Sequence, residues 1–269
     1  MISRKIAINL YIVFQIFLMT HLAYAEPWLH LKDKHFIVYY NFKEDTSAAR
    51  RVLRKAESYY DKIAAQIGYT RYSNFWTWND RAKIIIFPNQ ETFVNNTQQP
   101  LWSRGYANHH SQLFGSRIIV TYRQEHGFLD GLLPHEISHL ILRDFIGFDR
   151  PLPVWFDEGI AQLYEKDRKR LGELIMKPLA QKNQHIPFDT LFQMQIYQQN
   201  NADIVRIFYA QSLSIIDFLI RTYGSSAFER LCWNLKEGKD MDEALRSAYT
   251  YSISSRKDLE EKWLRATSR

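Results

Sequence analysis

The feature that most constrains this chain is a polar cluster set in an apolar helical stretch. His135, Glu136 and His139 form the cluster, and apolar runs at 132–133 and 140–142 flank it. Residues four apart lie on one face of a helix, so the two imidazoles can converge on one point. Burying two histidines and a glutamate among apolar residues costs free energy unless a partner pairs them. The fold must therefore supply that partner.

A metal ion is the simplest single partner for both imidazoles, and zinc accepts nitrogen ligands at about 2.0–2.1 Å. Glu136 follows the first histidine, so it can reach a water on such an ion without binding the ion itself. The five-residue pattern also arises by chance, and His135 and His139 could instead be ordinary histidines satisfied on a core helix. The motif alone indicates a metal site without deciding it.

Glu158 strengthens the case for a metal. Eighteen residues separate His139 from Glu158, which lies in a second helix predicted to begin near Val154. A catalytic zinc needs three protein ligands and one open position, and two histidines with one glutamate form a standard set. Gly159 is expected to let the second helix approach the first closely. Alone, Glu158 could be an exposed acid near a helix N-terminus; with the two histidines it is predicted to be the third ligand of one zinc ion.

These motifs resemble those of a known family. The HExxH motif, the eighteen-residue spacing and a WxxEGxA segment at 155–161 resemble the gluzincin metallopeptidases. The chain is most similar to the small bacterial peptidase-MA-like domains, which carry LPHExxH, LPxWxxEGxA and a later YAQSxS segment. The corresponding segments here begin at residues 133, 152 and 209. The resemblance implies a zinc metalloendopeptidase with the zinc site in a cleft between two lobes. The small size argues against an aminopeptidase.

The resemblance also implies roles for individual residues. Glu136 would be the general base that takes a proton from water and passes it to the leaving amine. Gluzincins stabilise the negative oxygen of the intermediate with a tyrosine or histidine from a later helix. Tyr209, which opens the YAQS segment, is the candidate, although it could equally be an ordinary core tyrosine. Tyr197 and Tyr164 are weaker candidates.

Zinc-bound histidines usually donate their second N–H to a carboxylate or carbonyl. Gln162 and Glu165 follow Glu158 by one and two helical turns, and we expect them to serve this purpose. Pro134 is tolerated only in the first turn of a helix, so the regular zinc helix is predicted to begin near Leu133.

Hydrophobic periodicity predicts an α+β fold that changes character along the chain. The N-terminal half should contain a small sheet and one long helix, and the C-terminal half should be mainly helical. The polar segment around His109 and His110 is interpreted as a surface loop. Predicted strands lie at 35–40, 82–87 and 117–122, and predicted helices at 46–67, 89–96, 129–145, 154–165, 210–223, 227–236, 241–248 and 259–264.

Two lobes, 26–122 and 123–269, are predicted to pack together as one peptidase-MA-like domain. In gluzincins an edge strand precedes the zinc helix, and a peptide substrate can add to it as a further strand. By resemblance, we expect the strand at 117–122 to be this edge strand.

The N-terminus is predicted to be a secretory signal peptide over residues 1–25. Arg4 and Lys5 precede a mostly apolar run at 6–20, and Ala23 and Ala25 form a small-x-small cleavage pattern. The mature chain should therefore be exported, to the periplasm or outside the cell. An uncleaved N-terminal anchor is the alternative. No later segment is apolar enough to cross a membrane, so no stable span is expected after cleavage.

Composition limits the remaining possibilities. Cys232 is the only cysteine, which excludes an internal disulfide, and it is predicted to be a small buried hydrophobe. The formal charge of +6 comes from scattered basic residues rather than a patch, so no nucleic-acid partner is expected. The expected partner is a peptide or protein substrate, and the sequence gives no oligomeric state. Two other functions stay open: a zinc-stabilised binding or scaffold protein without catalysis, and a zinc amidase acting on cell-wall material.

Overall fold

The computed structural model describes residues 28–41, 46–69, 76, 78–111, 115–124 and 126–269. The predicted signal peptide lies outside these residues. The strands are β1 (Leu29–Lys32), β2 (Phe36–Tyr40), β3 (Ala82–Phe87), β4 (Gly105–Ser111) and β5 (Gly115–Tyr122). The helices are α1 (Thr46–Gln66), α2 (Gln90–Thr97), α3 (Leu133–Ile146), α4 (Val154–Gln162), α5 (Arg168–Gln181), α6 (Phe188–Leu191), α7 (Ala202–Tyr223), α8 (Ser225–Lys236), α9 (Met241–Ala248) and α10 (Arg256–Thr267).

The predicted α+β class is confirmed, with the sheet in the N-terminal part and helices dominating the rest. The five strands are ordered β1-β2-β3-β5-β4. β2, β3 and β5 run parallel, and β1 and β4 are antiparallel to their neighbours at the two edges. Central parallel strands are covered on both faces, which explains the continuous apolar run of β3. The division into lobes at 26–122 and 123–269 remains a prediction.

Each face of the sheet has its own apolar layer. Ile84 and Ile86 of β3 join the main core, to which α1 and α3 also contribute. Ile85 points the other way and packs with Phe93 of α2 in a smaller cluster. The main core continues into the helical part, where Trp155 and Trp263 are fully buried. The zinc-helix candidate α3 is thus held between the sheet and the helices.

The edge strand differs from the one that the sequence predicts. The predicted edge, 117–122, corresponds to β5, which lies between β3 and β4 in the interior of the sheet. The edge is β4, and it includes the His109–His110 segment that was interpreted as a loop. Those two predictions are wrong, because a strand paired on one side only can carry the polar residues that are also typical of loops.

Two helices of the C-terminal part escape the sequence patterns. The basic segment 166–170 leads into α5, which carries Pro178 in its interior, and α6 has only four residues. The sequence indicated only a solvated helix end at 166–170, because Pro178 interrupts the helical pattern of the segment that follows. The bounds of α9 agree with the prediction, 241–248. Among the described residues, no helix combines the length and apolar character needed to cross a membrane.

The start of α3 agrees with the expectation from Pro134. The regular helix begins at Leu133, so the proline falls in its first turn, where its missing N–H is not needed. A π-helical turn, Phe128–Leu132, leads into the helix without a break. His135 and Glu136 therefore lie in the first turn of α3, close to its exposed end.

Candidate metal centre

Three predicted ligands converge between α3 and α4. His135 Nε2 and His139 Nε2 lie 3.1 Å apart, and Glu158 Oε2 is 3.6 Å from the first and 3.9 Å from the second. Four ligands placed tetrahedrally at about 2 Å from a zinc ion lie roughly 3.3 Å from one another. The three atoms are therefore spaced as ligands of a single ion would be. Among the described residues, these three side chains form a group that could hold a metal.

The ligand atoms include a buried oxygen that lacks a partner among the described residues, and a metal ion would provide one. Glu158 Oε2 is buried and has no hydrogen-bond partner within the described part of the chain. A buried carboxylate oxygen without a partner is costly, and the two Nε2 atoms beside it point into the same space. Two imidazoles and one carboxylate are a donor set that zinc accepts. The residues present thus fit the metal that the sequence predicts.

Gly159 contributes to this arrangement in a way the sequence did not predict. A Cβ atom at Gly159 would lie 2.7 Å from Ser212 O and 2.7 Å from Ile216 Cγ1, both on α7. The nearest neighbours of Gly159 thus lie on α7 rather than on α3, so the sequence assigned its close approach to the wrong helix, although α3 and α4 do pack against each other. It lets α4 lie against the backbone of α7, and this packing sets the depth at which Glu158 is held.

His139 belongs to a buried chain of contacts, which we call the inner arm (His139, Asp157 and Arg143). The imidazole Nδ1 lies 2.7 Å from Asp157 Oδ1. Arg143 donates to Asp157 Oδ2 from Nε at 2.9 Å and from a terminal nitrogen at 2.7 Å. Burial opposes the charge on Asp157, but His139 and Arg143 outweigh it and hold the pKa of this carboxyl below its usual value. Asp157 therefore accepts the N–H of His139, which leaves Nε2 free for a metal.

His135 has a matching set of contacts, the outer arm (His135, Glu165 and Arg168). Its Nδ1 lies 2.7 Å from Glu165 Oε1, and Arg168 Nε donates to Glu165 Oε2 at 2.7 Å. Burial opposes the charge here too, and contacts with His135 and Arg168 outweigh it, so the pKa of the Glu165 carboxyl is lowered. The expectation for Glu165 agrees with the structure. The expectation for Gln162 does not, since its amide donates to the Glu158 and Tyr209 carbonyls at 3.1 Å.

The electrostatics of the site favour a positive charge. Burial alone would lower the pKa of the His139 imidazole, yet neighbouring carboxylates raise it to about 10. Asp157 makes the largest contribution of these carboxylates, followed by Glu158 and Glu136. A divalent cation held between these groups would satisfy this demand.

Glu136 is nine-tenths buried, yet it opens onto a cleft of about 900 Å³ that runs past the metal centre. His135, Tyr209 and Arg104 also line the cleft. Since Glu136 has no carboxylate oxygen in the ligand group, it is free to face a substrate or a water. This is the position that the HExxH pattern predicts for the second residue of the motif.

The three candidate oxyanion donors differ in their position relative to the cleft. Tyr209 is half-buried and lines the cleft, and burial, together with the charge of Glu158, raises its pKa to about 12, so its hydroxyl is protonated at neutral pH. Most of the Tyr197 side chain is exposed, but its hydroxyl donates to Glu158 Oε1 at 2.7 Å. Burial of this hydroxyl and the negative charge of Glu158 raise the pKa of Tyr197. Tyr164 has a buried hydroxyl and does not line the cleft.

Sequence reasoning missed Asp157 and Arg143, and it named Tyr197 only as a weaker candidate for the oxyanion donor, not as a partner of Glu158. Asp157 directly precedes Glu158, so a search upstream of the ligand as well as downstream would have found it. Arg143 is four residues beyond His139 and therefore on the same face of α3, which is also a readable signal. Tyr197 lies in a short turn, Ile196–Gln198, far from the ligands in sequence, and no local pattern marks it.

A model of the Peptidase MA superfamily matches residues 98–266, more than half of the chain. The chain belongs to this superfamily. The match begins before the edge strand β4 and runs through α10, so it contains α3, α4 and the whole candidate metal centre. Membership supports an enzyme of the peptidase type that depends on a metal. No curated protein gives a significant match to the chain.

Proposed function

We propose that this protein is an exported zinc-dependent endopeptidase in which His135, His139 and Glu158 hold one zinc ion and Glu136 is the general base. One observation carries the proposal: the three ligand atoms, all within 4.8 Å of one another, surround a buried carboxylate oxygen that has no other partner in the described part of the chain. Glu136 stands beside this group and faces the cleft rather than joining it. Membership of the Peptidase MA superfamily gives independent support.

A zinc ion bound there would supply Lewis-acid activation of water and of the scissile carbonyl. Glu136 would take a proton from the attacking water on one carboxylate oxygen and deliver it to the nitrogen of the leaving amine. Because Glu136 is largely buried, it can hold this proton away from bulk water between the two transfers. His135 and His139 stay in fixed tautomers, since Glu165 and Asp157 hold their Nδ1 atoms.

Tyr209 and Tyr197 would have different tasks. Tyr209 faces the cleft with a protonated hydroxyl, which suits a donor to the negative oxygen of the tetrahedral intermediate. Tyr197 instead donates to Glu158 Oε1, and this bond directs Oε2 toward the two imidazoles. We therefore propose Tyr209 as the oxyanion donor and Tyr197 as a positioning residue for the third ligand.

The substrate would be an extended peptide or a protein segment. Among the described strands, β4 pairs with β5 alone, and its first residue, Gly105, packs against Leu132 about one turn before His135. A peptide adding to the free edge of β4 would therefore lie beside the N-terminal end of α3. The proposed export follows from the signal-peptide pattern at residues 1–25.

The test combines zinc content with peptide hydrolysis in the Glu136→Gln variant. The purified wild-type chain should hold one zinc ion and cleave peptides from a mixed library, with a chelator abolishing cleavage. Glu136→Gln should keep its zinc and lose hydrolysis by roughly a hundredfold or more, because general-base catalysis contributes about 10²–10⁴-fold. Glu237→Gln, at an exposed acid that does not line the cleft, is the matched control and should behave as wild type.

Each outcome has a clear meaning. Full hydrolysis by Glu136→Gln would remove that residue from the chemistry. A wild-type chain that binds zinc but cleaves no peptide would favour the scaffold or cell-wall amidase interpretations. Tyr209→Phe should lower kcat with little change in KM, and an unchanged kcat would leave Tyr209 as an ordinary half-buried tyrosine.

A further inference from the structure

Arg104 is fixed in place beside the cleft by a set of neutral groups. Its Nε donates to Gln124 Oε1 at 2.8 Å, and a terminal nitrogen donates to the His126 carbonyl at 2.5 Å. Gln124 also donates its amide to the Arg104 carbonyl at 2.8 Å, so one side chain holds both ends of the arginine. The orientation of this guanidinium is therefore set before any ligand arrives.

Gly127 also lies beside this guanidinium and leaves room for it. A Cβ atom at Gly127 would lie 3.1 and 3.2 Å from the two terminal nitrogens of Arg104. Gly127 has φ +78°, so other residues are disfavoured there on backbone grounds as well. The edge of the guanidinium that carries both terminal nitrogens therefore faces Gly127, on the backbone that enters α3, and several N–H groups are left for other partners.

The charge of Arg104 distinguishes it from the other arginines of the cleft. Arg168 pairs with Glu165 and Arg206 pairs with Asp203, so a carboxylate balances each of them. The partners of Arg104 are an amide and a carbonyl, and no carboxylate of the described residues pairs with it. Of the three arginines that line the cleft, Arg104 alone presents a net positive charge to it, as far as the described residues go.

Its position relates this charge to the proposed substrate path. Arg104 directly precedes Gly105, the first residue of the edge strand β4, and Gly105 contacts Leu132. Leu132 is four residues before Glu136, which is about 6 Å along a helix. A peptide lying along β4 advances about 3.3 Å per residue, so a group bound at Arg104 belongs to a residue a few positions from the scissile bond.

We propose that Arg104 is a specificity-determining residue that binds a carboxylate of the peptide substrate. A guanidinium whose contacts with Gln124 and His126 leave further N–H groups can donate charge-assisted hydrogen bonds to a carboxylate. The carboxylate comes either from an aspartate or glutamate side chain or from the C-terminus of the peptide. This inference rests on the proposed peptidase function, because it assigns the substrate preference of the same cleft.

The test uses peptides that share one cleavable core and differ in charge. In the first peptide series, a single glutamate is moved through the positions on both sides of the scissile bond, with glutamine at the same positions as the neutral control. A second peptide series compares free and amidated C-termini on an otherwise neutral peptide. The enzymes are the wild type, Arg104→Gln, Arg104→Lys, and Arg170→Gln, which removes an exposed charge that does not line the cleft.

The wild type should prefer a carboxylate at one position by roughly ten- to a hundredfold in kcat/KM, as expected for hydrogen bonds to a charged group. Arg104→Gln should remove this preference through KM and leave the glutamine peptide unaffected, which also shows that the variant is folded. Arg104→Lys should retain only part of the preference, since an ammonium lacks the planar fork. Arg170→Gln should retain all of it. The peptide series in which the preference appears identifies the source of the carboxylate.

A wild type that cleaves the glutamate, glutamine, free and amidated peptides equally would overturn the inference and leave the proposed function intact. A preference that survives in Arg104→Gln would overturn it too. If the wild type cleaves none of these peptides, the proposed function fails, and binding decides the inference separately. In that case, calorimetric titration of the same peptides into wild type and Arg104→Gln should show Arg104-dependent binding of the carboxylate peptides; its absence would overturn the inference.

Discussion

The inner and outer arms of the metal centre use one chemical arrangement in two different settings. In each, a carboxylate accepts from a histidine with one oxygen and from an arginine with the other. In the inner arm the arginine side chain is 27% exposed and donates from two nitrogens, whereas in the outer arm it is 49% exposed and donates from one. The same contacts are therefore more rigid and less hydrated on the inner side.

The source of each arm explains this difference. Asp157 and Arg143 lie on α4 and α3, two helices that pack directly against each other. Glu165 lies in the turn after α4, and Arg168 is the first residue of α5. An arm that joins two packed helices can move only if the helices move, whereas an arm built from a turn can adjust by itself. How rigidly each histidine is positioned therefore depends on whether a helix or a turn carries the carboxylate that accepts its N–H.

The largest effect should come from removing the charge of each supporting carboxylate. Asp157→Asn is expected to lower zinc affinity by about 100-fold and Glu165→Gln by about 10-fold, within the range known for such partners. The half-buried Arg143 would be left facing an amide, while the exposed Arg168 can turn to water. Zinc dissociation constants from competition with a chromogenic chelator measure both. Equal losses, or a larger loss in Glu165→Gln, would show that the two arms hold their histidines alike.

A smaller effect is expected from Gly159→Ala, which tests whether α4 carries the inner arm as a rigid unit. The new methyl would meet Ser212 O, so α4 or α7 must shift, at a cost of about 1–3 kcal/mol of unfolding free energy. That shift moves Asp157 and Glu158 but not the turn that holds Glu165. Urea denaturation measures the stability.

Gly172→Ala is the matched control for this substitution. A Cβ at Gly172 would find its nearest neighbour at 3.6 Å, so the helix α5 should instead be stabilised by about 0.5–1 kcal/mol. If Gly159→Ala were as well tolerated as Gly172→Ala, the contact between α4 and α7 would not control the depth of Glu158.

The smallest effect should come from the arginine of the outer arm. Arg168→Ala is expected to change the unfolding free energy by less than about 1 kcal/mol, as is usual for an exposed ion pair. Arg143→Ala should cost about 1–3 kcal/mol, because it leaves a buried oxygen of Asp157 without its partner. Thermal and urea denaturation of the two variants would check this. A loss in Arg168→Ala as large as that in Arg143→Ala would contradict the assigned difference in hydration.

Much of the fold followed from local patterns. The spacing of apolar residues located α1, α8 and α9, and Pro134 indicated where α3 begins. The patterns failed where a segment departs from the composition of its element. β4 resembles a loop because it is polar and lies at an edge. In α5, Pro178 interrupts the helical pattern, so the sequence indicated only a solvated helix end at 166–170. No property of a single sequence reveals that β4, and not β5, ends the sheet, because strand order depends on pairings between distant segments.

The candidate site divides in the same way. His135, His139 and Glu158 were predicted from spacing alone, and the structure brings them together as a group that could hold a metal. Glu165 was predicted as a partner from its helical offset and does contact His135. Tyr197 was named only as a weaker oxyanion donor, and its contact with Glu158 could not be predicted, because a turn 39 residues beyond Glu158 brings it to that carboxylate.

By itself, the sequence determined which side chains could hold a metal, since the period of the helix places residues four apart on one face. It also determined the helix that carries the motif and the membership of a family that those motifs indicate. The tertiary structure alone decided what surrounds these groups. The crossing of α3, α4 and α7 selected Asp157 for one histidine and turned Gly159 toward α7. The contacts of Arg104 with Gln124 and His126 left its charge without a carboxylate among the described residues. Such contacts join segments far apart in the chain, and their geometry follows from how whole helices and strands pack rather than from any local pattern.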